Sequence, residues 1–262
     1  MTGFVTRLYQ IVLERIPDEG GLNAHCAALL SGVSAAEIAN GFFVSEEFIN
    51  RGLSDDEAVE IAYLTMLGRE PDATGLDNWT SQMEKGCSIS YVVDGFAQSP
   101  EFKELCAEWG VTPGRVDLVQ PRDRNAKVTG FAVRLYKLVL NRSFDPDGLN
   151  AQCAALLSGV SAAEIANGFF VSEEFINRGL SDDEAVEIAY LTMLGREPDA
   201  TGLDNWTSQM EKGCSISYVV DGFAQSPEFK ELCAEWGVTP GRVDLVQPRD
   251  RNAKVTGFAV RL

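Results

Sequence analysis

The chain has 262 residues, and 39 acidic residues against 22 lysines and arginines give it a formal net charge of −17 at pH 7. Such an acidic chain argues against nucleic-acid binding, because phosphate groups require a basic surface. Hydrophobic residues make up 45% of the chain, which is enough to build a folded core. No stretch approaches the roughly 18 apolar residues that span a bilayer, so we expect no membrane insertion.

The sequence consists of two nearly identical copies with a period of 127 residues. Residues 26–135 are identical to residues 153–262, and the copies differ only near their beginnings, as at His25 and Gln152. Residues 257–262 repeat the start of a further copy. We therefore expect the chain to be a piece of a longer array, so that the lack of a visible signal peptide says little about location.

A shorter repeat lies within each copy, because a shift of 54 residues places Tyr9 on Tyr63 and Gly21 on Gly75 without a gap. Each copy is therefore predicted to contain two half-units and a tail, which we name the strap. The predicted bounds are 1–129 for module 1 (half-units 3–53 and 54–109, strap 110–129), 130–256 for module 2 (half-units 130–180 and 181–236, strap 237–256), and 257–262 for a truncated third copy.

Each half-unit is predicted to form four helices. The first helix shows the apolar stripe Phe4, Leu8 and Ile11, at the spacing of one helical face. The second and third begin after capping residues such as Asp72 and Ser34. The fourth begins with a serine, a proline and an acidic residue, a strong helix start. Because no alternating strand pattern is present, we predict an all-α fold of tandem helical modules.

Three stretches resemble a known family. They are Phe4-x-x-x-Leu8-Tyr9, Gly68-Arg69-Glu70-Pro71-Asp72-x-x-Gly75-Leu76-x-x-Trp79, and Gly95-Phe96-x-x-Ser99-x-x-Phe102. Together they resemble the bacterial domain-of-unknown-function family numbered 4214, which is similar to the linker domain of phycobilisomes. The resemblance implies a small helical module of large secreted or surface-attached bacterial proteins, without an established ligand or enzyme activity.

The first half-unit of each copy departs from this family pattern at two positions. His25 and Gln152 stand at the position of Trp79, and Glu14 and Asn141 stand at the position of Gly68. If the tryptophan contacts a ligand, only the second half-units can make that contact.

We predict no catalytic residues. The single histidine, His25, has a glutamine as its equivalent in the second copy, so a mechanism shared by both copies cannot use histidine. The acidic pairs Glu46-Glu47 and Asp55-Asp56 directly follow serines at predicted helix starts, where negative charge is favourable. A hydrolase with two converging carboxylates remains a less favoured alternative.

We also predict no metal and no other cofactor. Asp145-Pro146-Asp147-Gly148 resembles the start of a calcium loop, but further oxygen ligands and the distant glutamate are missing. We expect the aspartates to cap helices instead. The weak metal candidates are Asp18, Asp72, Asp145 and Asp147.

Each copy contains three cysteines, and none has the paired spacing of a zinc site. Cys26 is expected to be a small buried hydrophobic residue. The disulfide candidates in an oxidising compartment are Cys87 with Cys106, and Cys214 with Cys233.

Aromatic residues are the candidates for ligand contact. Trp79 shares a helical face with Leu76 and Met83, so we expect its ring to be mostly buried. Rings at the end of the last helix, or with uncertain exposure, could instead form a repeated binding surface. These binding candidates are Tyr91, Trp109, Tyr218 and Trp236.

The strap is predicted to be ordered. It lacks the glycine and serine content of a flexible tether, and its basic residues lie within an otherwise acidic chain. Val116, Leu118 and Val119 are the residues expected to dock on the preceding helices.

These observations favour a non-enzymatic scaffold, spacer or adhesive repeat, located outside the cell or on its surface according to the family resemblance. The alternative is a multivalent module that binds glycan or a host protein. The expected partners are the neighbouring modules of the same chain, with glycan or host protein as the second possibility.

Overall fold

The computed structural model describes residues 1–245, and within them the chain forms seventeen α-helices and no β-strand. This confirms the predicted all-α class. The end of the second strap and the truncated third copy, residues 257–262, lie outside the described residues.

The chain divides into two compact units, of which the first is Met1–Arg124 and the second begins at Asn125. In the first unit the helices are α1 Thr2–Arg7, α2 Glu19–Leu30, α3 Ala35–Phe43, α4 Glu46–Ile49, α5 Asp55–Ala62, α6 Ala73–Glu84, α7 Ile89–Gln98, α8 Pro100–Trp109 and α9 Pro121–Arg124. In the second unit they are α10 Ala126–Arg134, α11 Pro146–Leu157, α12 Ala162–Phe170, α13 Glu173–Ile176, α14 Asp182–Ala189, α15 Ala200–Glu211, α16 Ile216–Gln225 and α17 Pro227–Trp236.

The division between the units lies five residues ahead of the sequence period. Asn125 is the N-cap of α10, and its side chain accepts hydrogen bonds from the backbone N–H groups of Lys127 and Val128. Its amide also donates to the carbonyl of Trp236, 2.8 Å away. Residues 126–129 of the predicted strap therefore begin the first helix of the second unit.

Within each unit, the two half-units share one core. In the first unit α3 packs against α7, and in the second α12 packs against α16. Six phenylalanine side chains are fully buried, namely Phe4, Phe43 and Phe102 in the first unit and Phe131, Phe170 and Phe229 in the second. The helix starts follow the predicted chemistry, since Ser34, Ser45 and Ser99 each accept a backbone N–H with the side-chain oxygen.

The first helix of every half-unit ends in a π-helical turn, which the apolar stripe did not indicate. These turns are Leu8–Val12, Tyr63–Leu67, Leu135–Val139 and Tyr190–Leu194. In the second half-units a left-handed glycine follows at once, with φ of 71° at Gly68. In the first half-units the residues in that region are Glu14 and Asn141, with φ of 52° and 53°.

The tyrosine of each π-helical turn explains the glycine in the following helix. A Cβ atom added at Gly21 would lie 2.3 Å from the Tyr9 hydroxyl, and one added at Gly75 would lie 2.3 Å from the Tyr63 hydroxyl. Gly148 and Gly202 have the same relation to their own tyrosines. Only glycine allows the second helix to approach the tyrosine this closely.

Among the described residues, no helix has both the length and the apolar character needed to cross a membrane.

Candidate functional site

The strap completes the start of α3, a helix of the first half-unit. The carbonyls of Thr112 and Pro113 accept hydrogen bonds from the backbone N–H groups of Ala35 and Ala36, at 2.8 and 3.0 Å. The Ser34 side chain accepts the next N–H, from Glu37. In this way three N–H groups that a helix leaves unpaired at its start find acceptors. The second unit repeats both strap bonds, at Ala162 and Ala163.

Gly114 makes this close approach possible. Its φ is +69°, and an added Cβ would lie 2.1 Å from the Cβ of Ser34. Both the backbone conformation and the contact therefore require glycine. Gly241 has the same relation to Ser161 in the second unit.

A buried aspartate of the second half-unit holds the same strap. Asp94 is 4% exposed and accepts hydrogen bonds from the Val116 N–H at 2.9 Å, from Arg115 at 3.0 Å and from Gln98 at 2.6 Å. Asp221 bonds Val243 and Arg242 in the second unit. Neither Asp94 nor Asp221 was among the functional residues predicted from the sequence. The available signal was a single acidic residue within the apolar face of α7.

The strap bonds to its unit a third time at Asp123, which is buried. Its carboxylate accepts from the backbone N–H and the hydroxyl of Ser88, at 2.7 and 2.6 Å.

The docking side chains differ in part from the prediction. Val116 is buried and Leu118 packs on the core, but Val119 is 64% exposed. Val111, at the start of the strap, is also buried in the core.

The second half-unit of each copy contains a slot that a tryptophan fills. The Trp79 ring lies against Gly95 of α7 so closely that a Cβ there would be 2.0 Å from the ring. The same ring meets Phe96 edge to face, with centroids 5.2 Å apart. Trp206 occupies the equivalent slot against Gly222 in the second unit. Trp79 is partly buried and packs against the core, in agreement with the expectation of a mostly buried ring.

In the first half-unit the same slot is open. Gly41 is the equivalent of Gly95, and nothing lies within 4 Å of a Cβ atom added there. A cavity of about 350 Å³ covers this glycine, with Tyr9, Ile38 and Phe42 among its walls. His25 stands at the tryptophan position, but its Nδ1 lies 2.8 Å from the Gly21 carbonyl and 3.2 Å from the Tyr9 hydroxyl. The smaller ring also packs on Phe42, with centroids 5.0 Å apart, but it leaves the glycine uncovered.

The second copy contains the same groove, with different chemistry at one wall. Its volume is about 410 Å³, and Tyr136, Ile165, Gly168 and Phe169 occupy the equivalent positions. Gln152 stands where the first copy has His25. Nothing lies within 4 Å of a Cβ added at Gly168 either. We name the two cavities the first-copy groove and the second-copy groove.

Charged side chains line the rim of both grooves. Arg15 lies over the Tyr9 ring, 4.7 Å from its centroid, and donates to Glu47 at 2.7 Å. Arg142 does the same with Tyr136 and Glu174. Burial is the main cause that raises the pKa of both tyrosines.

On the opposite rim stand Glu37 and Glu164, at the position that Tyr91 and Tyr218 occupy in the second half-units. In the described part of the chain, the carboxylates of Glu37 and Glu164 have no hydrogen-bond or ion-pair partner.

The four predicted binding aromatics belong to packed positions. Tyr91 and Tyr218 are half-buried and meet Trp79 and Trp206 edge to face. Trp109 is half-buried and stacks on Phe4 with centroids 5.0 Å apart. Trp236 is 6% exposed and packs on Phe131, which corrects the expectation of an exposed ring at the end of the last helix. The last helix ends in the core because α10 covers its aromatic face.

The aspartates proposed as weak metal candidates are used at helix starts. Asp18, Asp72 and Asp145 each accept the N–H of the glycine three residues later, at 2.7, 2.9 and 2.6 Å. Asp147 lies in the first turn of α11. Across residues 1–245, no group of three or more histidine, cysteine or acidic side chains could hold a metal ion.

No disulfide joins the cysteines of the described residues, including the candidate pairs Cys87 with Cys106 and Cys214 with Cys233. Cys106 and Cys233 are packed inside the core, where burial raises the pKa of their thiols to about 11 and about 12. Cys87 lies outside this core, just ahead of α7. The two thiols of a pair therefore belong to different packing environments.

The comparison with protein families agrees with this fourfold architecture. The model of the family described as Domain of unknown function (DUF4214) matches residues 2–52, 39–106, 122–179 and 166–233. The chain therefore belongs to this family, in tandem, as its motifs predicted. No curated protein matches the sequence.

Proposed function

We propose that each copy is a non-enzymatic structural module, used as a repeating scaffold or spacer unit of a larger secreted or surface-attached bacterial protein. The observation that supports this most directly is the strap of the first unit. It bonds to α3 of one half-unit and to Asp94 and Ser88 of the other. A connector held at three points differs from a flexible tether, and repeat proteins used for spacing depend on such held connections.

The placement of the acidic side chains also supports a non-enzymatic role. Several of them cap helices or bind arginines, as Asp72 and Glu101 do. Glu37 and Glu47 both line the first-copy groove, but Glu47 is bonded to Arg15 at 2.7 Å. A hydrolase of this type needs two carboxylates that converge on the substrate, and Glu47 is engaged by Arg15 instead. A hydrolase is therefore the least favoured function.

Limited proteolysis of the whole chain tests the structural role. Trypsin can cleave the first strap after Arg115, Arg122 and Arg124, and we expect these sites to be protected because the strap is bonded on both sides. The double variant Asp94→Ala/Asp221→Ala should be cleaved in the strap at least about ten times faster, because the Val116 and Val243 N–H groups lose their acceptor. Asp77→Ala, at an exposed aspartate of α6, is the matched control and should leave the rate unchanged.

Rapid cleavage of the unmodified chain into intact single copies would overturn this role, since it would show modules joined by a loose connector. A parallel incubation with mixed glycans and peptides, followed by mass spectrometry, addresses the enzyme alternative. We expect no hydrolysis products.

A multivalent binding module is the second candidate function. The observation that favours it is the open groove, present at the same position in both copies. Two binding sites on one chain raise the overall affinity for a partner that can reach both. Screening the whole chain against glycan and serum-protein arrays tests this candidate.

A further inference from the structure

We propose that the first-copy and second-copy grooves each bind a tryptophan side chain of a partner polypeptide, with a lysine or arginine next to that tryptophan. This binding site is additional to the structural role proposed above. The two half-units of each copy share one backbone design but differ at one slot, which lies over the third helix, α3 in the first half-unit and α7 in the second.

The tryptophan that fills the equivalent slot of the second half-unit indicates which group fits the groove. In the second half-unit the slot over Gly95 holds the Trp79 indole, which also packs edge to face on Phe96. The first half-unit keeps the same floor, Gly41 and Phe42, and the same tyrosine beside it. The tryptophan is missing: in the first copy His25 packs on Phe42 instead, with centroids 5.0 Å apart, and Gly41 stays uncovered. A floor of one glycine and one phenylalanine therefore remains fitted to a flat aromatic group.

The size of the cavities agrees with this occupant. Volumes of about 350 and 410 Å³ lie at the lower end of the range for ligand pockets. The helix that supplies Trp79 in the second half-unit supplies His25 in the first, and His25 is held by Gly21 and Tyr9. The ring must therefore enter from solvent, between the second and third helices.

The rim indicates the charge of the occupant. Where the slot is filled, the rim residue is Tyr91, which contacts the tryptophan ring. Where the slot is open, Glu37 or Glu164 stands at that position. The single arginine of each rim is already bonded to a glutamate. A positive charge beside the ring would pair with the remaining carboxylate, and the net charge of −17 favours the approach of a basic segment.

Duplication of the groove favours a polypeptide as the source of the ring. The two grooves have equivalent floors, so a partner with two tryptophans can occupy both and bind more tightly than it would at one groove. A free small molecule binds each groove separately and gains no affinity from the second. The experiment therefore compares a peptide with the free amine of the same ring.

The test uses calorimetric titration of the whole 262-residue chain with the peptide acetyl-Gly-Lys-Trp-Lys-Gly-amide. We expect two equivalents per chain and a dissociation constant below about 1 mM. A peptide with leucine in place of tryptophan should bind at least about tenfold more weakly, and a peptide with glutamates in place of lysines should also bind more weakly at low salt. In NMR spectra the amide signals of Gly41 and Gly168 should shift.

Blocking variants locate the binding. Gly41→Leu should remove one equivalent and Gly41→Leu/Gly168→Leu both, because the leucine side chain fills the open floor. Gly3→Leu is the matched control, since nothing lies within 4 Å of a Cβ there either and Gly3 is exposed on α1. If the leucine variants do not fold, His25→Trp/Gln152→Trp supplies the missing ring from within and should abolish binding equally.

Three results would overturn the proposal. The first is equal binding of the tryptophan and leucine peptides, or no binding of either at millimolar concentration. The second is binding that persists in chains with blocked grooves. The third is binding of free tryptamine as tight as that of the peptide, which would assign the grooves to a small molecule instead of a polypeptide.

Discussion

The two half-units of each copy are the most informative comparison in this molecule. Both form four helices, with an aspartate and two serines as the N-caps of the second, third and fourth helices, the same tyrosine over a glycine and a π-helical turn after the first helix. The second half-unit uses a tryptophan, an aspartate and a left-handed glycine, where the first has His25 or Gln152, Asn40 or Asn167, and Glu14 or Asn141. These three exchanges leave the backbone design intact. The comparison shows that the second half-unit fills its slot with a packed tryptophan, whereas the first half-unit keeps an open groove at the same position.

The largest expected difference concerns the ring itself. Trp79→Ala/Trp206→Ala should lower the free energy of unfolding by about 3 kcal/mol per copy, because each ring fills a slot between two helices but is only half-buried. His25→Ala/Gln152→Ala should change it by less than about 1 kcal/mol, since the groove is already open. Urea denaturation followed by circular dichroism measures both. Equal effects of the two double variants would remove the contrast between the half-units.

Substitution of the floor glycines by alanine should change the stability of the two half-units in opposite directions. Gly95→Ala/Gly222→Ala should destabilise each copy by about 1–3 kcal/mol, because the new Cβ would lie within about 2 Å of the tryptophan ring. Gly41→Ala/Gly168→Ala should stabilise by about 0.5–1 kcal/mol, since the site is open and alanine favours helix. Thermal melts of the two pairs provide the check, and a destabilising effect at Gly41 would show that its floor is occupied.

The buried polar residue on the third helix gives the next contrast. Asp94→Ala/Asp221→Ala should cost about 1–3 kcal/mol per copy, because the strap N–H groups lose a buried acceptor. The equivalent residues Asn40 and Asn167 each have a buried Oδ1 without a hydrogen-bond partner within the described residues. Asn40→Ala/Asn167→Ala should therefore be nearly neutral, or slightly stabilising. Denaturant midpoints distinguish the two double variants. A loss of more than about 2 kcal/mol in the free energy of unfolding for Asn40→Ala/Asn167→Ala would contradict the expected difference.

The left-handed residue close to the end of the π-helical turn is a position where glycine should increase stability. Glu14→Gly should stabilise the first unit by about 1 kcal/mol, because a left-handed backbone is unfavourable for glutamate. Asn141→Gly should have a smaller effect, since asparagine tolerates this conformation better. Gly68→Ala, the reverse change in the second half-unit, should destabilise by a similar amount. If Glu14→Gly instead weakens the unit, the Arg51–Glu14 ion pair outweighs the backbone preference.

The smallest expected effect concerns the ion pair between the turn after the first helix and the start of the last helix of each half-unit. Arg69 donates two hydrogen bonds to Glu101, and this pairing lowers the pKa of the Glu101 carboxyl. Arg15 makes one such bond to Glu47. Because both pairs are largely exposed, Glu101→Gln should cost only a few tenths of a kcal/mol, and Glu47→Gln less.

The sign of the pH dependence follows from the direction of this pKa shift. A carboxyl whose pKa is lowered on folding contributes stability above its unfolded pKa, and that contribution is lost as the pH falls through the folded pKa. Glu101→Gln/Glu228→Gln should therefore flatten the loss of stability below about pH 4.5. Thermal melts between pH 3 and 7 measure this, and an unchanged acid profile would show that the pair contributes nothing.

Sequence patterns predicted the helices because their signals are local. Serine and aspartate caps, the proline in Ser99-Pro100 and the stop at Gly86 each act within one turn, and the structure has helices beginning and ending there. The repeat also made the half-units visible. The π-helical turns were not predicted, because one wider turn at the end of an α-helix hardly changes the spacing of its apolar residues.

Features that depend on distant residues were predicted only in part. The strap was expected to be ordered by apolar contacts, but the position of Gly114 against Ser34 and the bonds from Asp94 depend on contacts far apart in the chain. The groove was the hardest to foresee. The exchange of Trp79 for His25 was visible in the sequence, yet the resulting cavity became apparent only when Gly41 and Gly95 could be compared in space.

The order in which the strap and α3 are synthesised has a consequence for folding. Ala35 leaves the ribosome long before Thr112, the residue whose carbonyl completes its helix start. A copy therefore reaches its final state only after its last residues have emerged, and by then synthesis of a nearly identical neighbour is beginning. Because chains fold from the N-terminus during synthesis, this delay between copies limits exchange of equivalent helices between them. Refolding from denaturant removes that delay, so the full chain should misassemble more often after refolding than after translation.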